Sequence, residues 1–208
     1  MEAYETICKR GRPREFDVDA ALDAAVAVFW RNGYDGTSLT DLTEAMGINR
    51  PSLYAAFGNK ESLFRRAMDR YAERPRAMMA ACEAEPTARG FTERLLRATV
   101  DGATDCRGPT GCFLIQGAMK CGSAADPLRQ EAVDRRSEME TLLRARFERA
   151  VGDGELPPTQ CPADLARYFA VLAQGMALRA ADGADRAALH RVVDLALRAW
   201  PSRAGSGG

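Results

Sequence analysis

A chain of 208 residues, 46% hydrophobic and 28% charged, has the size and balance of a globular protein of one or two domains that closes its own core without staples. Its 29 Lys and Arg against 29 Asp and Glu leave a formal net charge of zero. The bulk basicity that announces many nucleic-acid binders is therefore excluded, and any such activity must reside in local charge.

The longest unbroken apolar run, Ala24 to Trp30, is far short of the roughly 20 residues that cross a bilayer. The polar start, Met1 to Arg14, has no apolar stretch of the secretory type. A cytoplasmic protein with no membrane partner is the expectation. Six cysteines (Cys8, Cys82, Cys106, Cys112, Cys121, Cys161) are too sparse for a disulfide scaffold and are expected as thiols, mostly packing residues.

Apolar positions recur at three and four spacing and alternating β-branched runs are missing, which predicts an all-α chain of about nine helices. From Asp17, the stripe Val18, Leu22, Ala25, Val26, Phe29 and Trp30 makes a first helix that ends at Asn32-Gly33. Thr37 or Ser38 can cap a second, short helix through Met46, closed by Gly47. Asn49 offers the next cap, with Pro51 in the first turn of a third helix that runs to Phe57. A fourth starts near Lys60 and reaches about Glu83, with a bend expected at Pro75. Further helices are predicted at about 88 to 104, 111 to 122, 127 to 151, 162 to 182 and 185 to 199, with a disordered tail from Ser202.

Gly36 to Lys60 has the form of a helix-turn-helix reader of double-stranded DNA: two short helices, a glycine-bearing turn, and a basic residue at the next helix start. Leu39, Leu42, Met46, Ile48, Leu53 and Phe57 pack the two helices together. That leaves Asn49, Arg50, Ser52, Tyr54 and Ala55 to face a major groove. Arg50 can form a bidentate pair with guanine, Ser52 can reach base or phosphate, and Ala55 and Ala56 allow approach to thymine methyls. Tyr54 and Lys60 suit phosphate.

Gly36-Thr37-Ser38, Leu53-Tyr54-Ala55-Ala56-Phe57, Lys60-Glu61-Ser62-Leu63-Phe64 and the upstream Phe29-Trp30-Arg31-Asn32-Gly33-Tyr34 together resemble the TetR/AcrR family of transcriptional regulators over about residues 16 to 64. The resemblance implies backbone-phosphate contacts at Ser38, Thr40, Tyr54 and Lys60, and base-facing positions at Arg50, Pro51, Ser52 and Ala55, with Asn49 beside them. It also implies a basic arm carrying Lys9, Arg10, Arg12 and Arg14 that lies along a minor groove once DNA arrives. The domain division that follows is an arm at 1 to 15, a DNA-binding domain at 16 to 62, a ligand-binding and dimerisation domain at 63 to 201, and a tail at 202 to 208.

Local charge agrees. Cys8 to Phe16 carries four basic residues against Glu15, a surplus of +3, and Ala45 to Met68 carries four against Glu61, again +3. Asp17 to Glu44 between them carries six acids against Arg31, or −5.

The later helices are expected to dimerise and to sense. The 127 to 151 helix, with Val133, Met139, Leu142, Leu143 and Phe147, and the Ala-rich 162 to 182 helix resemble the family's paired dimer helices, and the same residues also suit intrachain core. A homodimer would call for a roughly palindromic operator. Met78, Met79, Phe91, Leu95, Phe113, Ile115, Met119 and Met139 are candidate walls of a pocket for an unidentified apolar effector, and equally good core filler.

Cys106, Cys112 and Cys121 form a possible thiol sensor, since Arg107 adjoins Cys106 and Cys112 can stand at a helix start. Their spacing matches no common zinc pattern, so no metal is expected. No cofactor is expected, and no catalytic residues: the lone His190 lacks a nucleophile and an orienting partner in any recognisable pattern. A redox or electrophile-sensing regulator on the same fold, or a helical small-molecule-binding protein without operator function, are the alternative readings.

Overall fold

The computed structural model describes residues 16–119 and 125–201, without the side chains of Ala118 and Met119. The basic arm, Cys121 and the tail lie outside the described residues. Among those described there are nine α-helices and no strand: α1 Val18–Asn32, α2 Leu39–Met46, α3 Arg50–Phe57, α4 Lys60–Glu83, α5 Ala88–Ala103, α6 Phe113–Met119, α7 Asp126–Gly152, α8 Pro162–Ala181 and α9 Arg186–Arg198.

Capping chemistry sets the helix starts. Asp17 accepts from the Asp19 and Ala20 N–H groups at α1, Asn49 from Ser52 at α3, Asn59 from Ser62 at α4, Thr87 from Gly90 at α5 and Asp185 from Ala188 at α9. At α2, Ser38 and Asp41 exchange bonds in a capping box. Gly47 ends α2 in the left-handed region, φ 65°, where a side chain would be strained. The expected break before α6 falls two residues later than 111. Gly111 holds φ 91°, and a Cβ there would come within 2.8 Å of Ala181 Cβ, so the chain turns extended past α8 before it can coil. Helix α4 passes through Pro75 and continues to Glu83.

Two hydrophobic cores result. The first joins Leu22, Ala25 and Phe29 of α1 to Leu42, Leu53, Phe57, Phe64 and Met68, and it also takes in Phe113, Leu114, Leu128 and Ala132. The second, built on Phe91, Leu95, Leu96, Phe147, Phe169 and Val193, unites α5, α7, α8 and α9. The helical head is therefore not closed by α1 to α4 alone; α6 and the start of α7 complete it. Ion pairs follow the same path: Arg65 to Glu131 at 2.8 Å and Arg135 to Asp69 at 2.6 Å tie α7 to α4.

The expected break after α6 falls largely outside the described residues, and the remaining expected helix ends fall within a residue or two of those observed. The stripe predicted along α7 divides. Leu143 and Phe147 are wholly buried in the second core, whereas Leu142 is exposed.

Candidate nucleic-acid interface

Helix α3 has only two turns and would be marginal alone. It is held by a side-chain cap and by two buried anchors, Leu53 and Phe57. Asn49 Oδ1 accepts from the Ser52 N–H at 2.8 Å, and Pro51 occupies a first-turn position where no intrahelical donor is needed. With Leu53 and Phe57 turned inward, Asn49, Arg50, Pro51, Tyr54 and Ala55 are exposed and Ser52 is half-exposed.

Helix α2 lies across α3 through Leu42 and Met46, with Leu39 and Ile48 packed at the edge. Ser38 and Thr40 at its start are exposed. The Arg50 guanidinium donates to Thr40 Oγ1 at 3.0 Å, so one exposed hydrogen bond links the start of the reading helix to the start of its support. Asp41 accepts from the Ser38 N–H at 2.8 Å and from nothing on the outer face; the Ser38 backbone bond, reinforced by the Ser38 hydroxyl, holds its carboxyl below the usual range. The cap thus holds Asp41 as a carboxylate at the start of α2.

At the far end of α3, Lys60 Nζ stands 4.5 Å from the centre of the Tyr34 ring, and Arg66 stacks over Phe57 while donating to the Ala56 carbonyl at 2.9 Å. Ala56 is partly buried against the core, which leaves Ala55 as the small residue facing outward. Sequence reasoning did not single out Arg66, whose i+9 distance from Phe57 is bridged only by the turn into α4. Thr37 is buried with its hydroxyl on the Gly33 carbonyl at 2.7 Å, so Ser38 is the cap.

Of the sequence-predicted contact positions, Ser38, Thr40, Asn49, Arg50, Pro51, Tyr54 and Ala55 are exposed, and Ser52 and Lys60 are half-exposed. Matches to known proteins cover most of the chain. Residues 21–67 match the bacterial regulatory proteins of the tetR family, and residues 92–196 match the tetracyclin repressor-like C-terminal domain. The chain belongs to the TetR family. Among its TetR-family relatives, the HTH-type transcriptional repressor ComR of Escherichia coli (strain K12) is 36% identical over 195 residues, 92% of each chain. The HTH-type transcriptional regulator YezE of Bacillus subtilis (strain 168) is 32% identical over 191 residues, 90% of this chain and 97% of that one. A solved structure of the TetR family transcriptional regulator CifR, a cysteine mutant complexed with 26bp double-strand operator DNA, aligns at a TM-score of 0.87 with 41% identity, over 91% of this chain and 100% of that one.

Of the candidate effector walls of this TetR-family chain with described side chains, all but Phe113 gather in or against the second core. Phe91 and Leu95 are buried filler of the second core together with Ile115, while Met78, Met79 and Met139 pack half-buried against it. Phe113 belongs to the first core, between Trp30, Phe64 and Tyr71. A Met and Phe pattern reports apolar volume to be filled and does not distinguish a wall from a plug. A cleft of about 500 Å³ opens elsewhere, between α1, α4 and the α5–α6 loop, and none of the candidate walls with a described side chain lines it.

The described cysteines differ in exposure: Cys82 is buried, Cys106 and Cys161 are exposed, and Cys112 is intermediate. Arg107 turns its guanidinium to Asp105, at 2.8 Å, and that bond holds the Asp105 carboxyl down at about 2. His190 binds Asp101 at 2.9 Å and ties α9 to α5. Among the described residues no cluster of His, Cys, Asp or Glu is arranged to hold a metal, and no helix is long and apolar enough to cross a membrane.

Proposed function

We propose that this TetR-family regulator is a ligand-responsive repressor that binds a palindromic operator as a homodimer and is released by an effector. The observation that carries the reading is the two-sidedness of α3: Leu53 and Phe57 anchor it, and Arg50, Pro51, Tyr54 and Ala55 are exposed together on a helix short enough to enter a major groove. That ComR is a repressor and that CifR is found on operator DNA supports the same direction. Ser38, Thr40, Tyr54 and Lys60 take phosphates in this reading. Arg50 and Ser52 read base edges, with Pro51 and Ala55 against the groove floor. Lys9, Arg10, Arg12 and Arg14 add a minor-groove arm.

Dimerisation is supported by exposed apolar side chains on the outer helices. Tyr168, Val171 and Leu178 recur on one side of α8 with Gly175 between them, and Leu195 stands out from α9 at 60% exposure. On α7, Leu142 is exposed and Val133 and Met139 are half-buried, while Leu143 and Phe147 are wholly inside the chain.

Selection of bound sequences from random duplex DNA tests the proposal. An enriched inverted repeat with half-sites on one face of the duplex is expected, and affinity for it should fall with salt at a log-log slope of roughly −5 to −7 if a dimer neutralises six to eight phosphates. No enrichment, or a slope near zero, overturns operator binding.

Thiol sensing is a second reading, favoured by the position of Cys112. It packs against both cores, and its thiol meets the Tyr71 hydroxyl. Oxidation or alkylation there would force the two cores apart. Operator release by peroxide should be abolished by Cys112→Ser; release that persists in the Cys106, Cys112 and Cys121 triple serine variant ends this reading.

A further inference from the structure

We propose that the cleft between α1, α4 and the α5–α6 loop binds a small organic monoanion, an aromatic or alicyclic carboxylate, with its carboxylate on Arg74 and its ring against Trp30 and Tyr71. The walls come from three places: Asp23, Val26, Ala27 and Trp30 on α1, Arg70, Tyr71, Glu73 and Arg74 on α4, and the loop around Asp105 to Pro109. At about 500 Å³ the space is that of an ordinary small-molecule site.

The ionic groups decide the sign of the ligand. Three acids and three arginines line the cleft. Every acid is already engaged: Asp23 accepts from Arg70 at 2.8 and 3.0 Å, Glu73 accepts from Arg70 at 3.0 Å, and Asp105 takes both the Nε and an Nη of Arg107. Arg74 alone among the lining ions makes no hydrogen bond or ion pair with another described residue. Its positive field nonetheless reaches Asp23, Tyr71 and Asp105 around the cleft.

A cationic ligand would have to displace an arginine from its carboxylate. A carboxylate meets an open, planar fork of N–H donors that fits it two-pronged. Since the lining sums to zero, one negative charge is better matched to the one unengaged cation than two. The remaining walls are apolar or aromatic, Val26, Ala27, Trp30, Tyr71 and Pro109, which suits a ring of six atoms more than a hydroxylated chain.

The site is also joined to the helix between the two cores. The Tyr71 hydroxyl is held by the Phe113 N–H and the Cys112 thiol at the start of α6, and Trp30 Nε1 donates to Gln116 Oε1 at 2.5 Å. Both aromatic walls, which pack edge-to-face on each other at 5.1 Å, therefore report to α6, and a ring lodged against them would shift α1 relative to α6. That regulatory consequence rests on the operator-binding reading above; the binding site does not.

The test uses the full chain with Trp200→Phe, which leaves Trp30 as the only tryptophan, and titrates its emission with benzoate, cyclohexanecarboxylate, benzamide and benzylammonium. The two carboxylates should give saturable changes, and benzamide and benzylammonium should bind at least about tenfold more weakly. Arg74→Gln should weaken benzoate by about tenfold to a hundredfold, with Arg74→Lys between; Arg74 is exposed, and an unchanged circular dichroism melt verifies the fold.

Equal responses to benzoate and benzamide, preference for benzylammonium, undiminished binding in Arg74→Gln, or no saturable change up to about 10 mM would each overturn the proposal. Operator affinity measured with and without benzoate separates the two claims. A saturable site with unaltered DNA binding removes the regulatory consequence alone, and a ligand-free chain that fails to select DNA counts against the operator reading while the titration stands.

Discussion

Asn49 performs two tasks that substitution can separate. Its Oδ1 accepts the Ser52 N–H at 2.8 Å and caps a helix of eight residues, while the same exposed side chain stands at the edge of the face assigned to DNA. Removing the cap by Asn49→Ala should cost about 1 kcal/mol of stability, within the range of about 0.5–2 for such caps. Asn49→Asp keeps the cap and places a carboxylate at a helix N-terminus, where negative charge is favourable, so stability should hold or rise slightly. On DNA the order reverses. A carboxylate about 5 Å from a phosphate is repelled by roughly 0.8 kcal/mol at ε of 80 and roughly 3.3 at ε of 20, or about fourfold to a few hundredfold in affinity. Urea unfolding and operator titration at fixed salt, run on both variants and on Asn49→Ser, measure the two effects. If Asn49→Asp binds operator as tightly as the parent, the orientation assigned to α3 is refuted; if Asn49→Ala unfolds at the parental midpoint, the cap carries no weight.

Phe113→Ala removes a wholly buried ring that touches Trp30, Phe64 and Tyr71 and should cost about 3–5 kcal/mol by chemical denaturation; a loss under about 1 would show that the head closes without α6. Arg50→Ala should weaken operator binding by about 1–3 kcal/mol and relax base preference at one position per half-site, whereas an equal loss on random duplex would make Arg50 a phosphate contact. Val171→Asp with Leu195→Asp alters two exposed positions and should convert the proposed dimer to a folded monomer by sedimentation; a dimer that persists excludes the α8 and α9 faces.

Glu155 supplies a pH test. Burial pushes its carboxyl up, but the Ala88 N–H and Arg146 more than offset this and hold it below its ordinary value of 4.5. Its stabilisation is therefore complete above the unfolded value and is lost as pH falls through the folded one. The difference in unfolding free energy between the parent and Glu155→Gln should be about 1–3 kcal/mol at pH 7 and shrink at acid pH below about 4.5. A difference that grows toward acid pH contradicts the assignment.

The helices were legible because their ends are written in single residues. Asp17, Ser38, Asn49 and Asp185 accept their own helix's N–H groups within three positions, so no distant contact is needed to find them. Which side of α2 and α3 is left outward was legible for the same reason: the two helices occupy neighbouring stretches of chain, and the spacing of Leu42, Met46, Leu53 and Phe57 already decides which side is buried. The cleft was not. Asp23, Arg70 and Asp105 are far apart in sequence, and only the packing of α1 on α4 and the turn of the α5–α6 loop make them neighbours.

A net charge of zero excluded a uniformly basic protein, and local spacing established an all-helical chain with a reading head. The fate of each apolar residue beyond residue 63 was left to the tertiary structure. Phe113 and Ile115 are two positions apart on one short helix, yet they enter different cores. Periodicity says that a residue must leave water; which neighbours receive it depends on where the other helices cross.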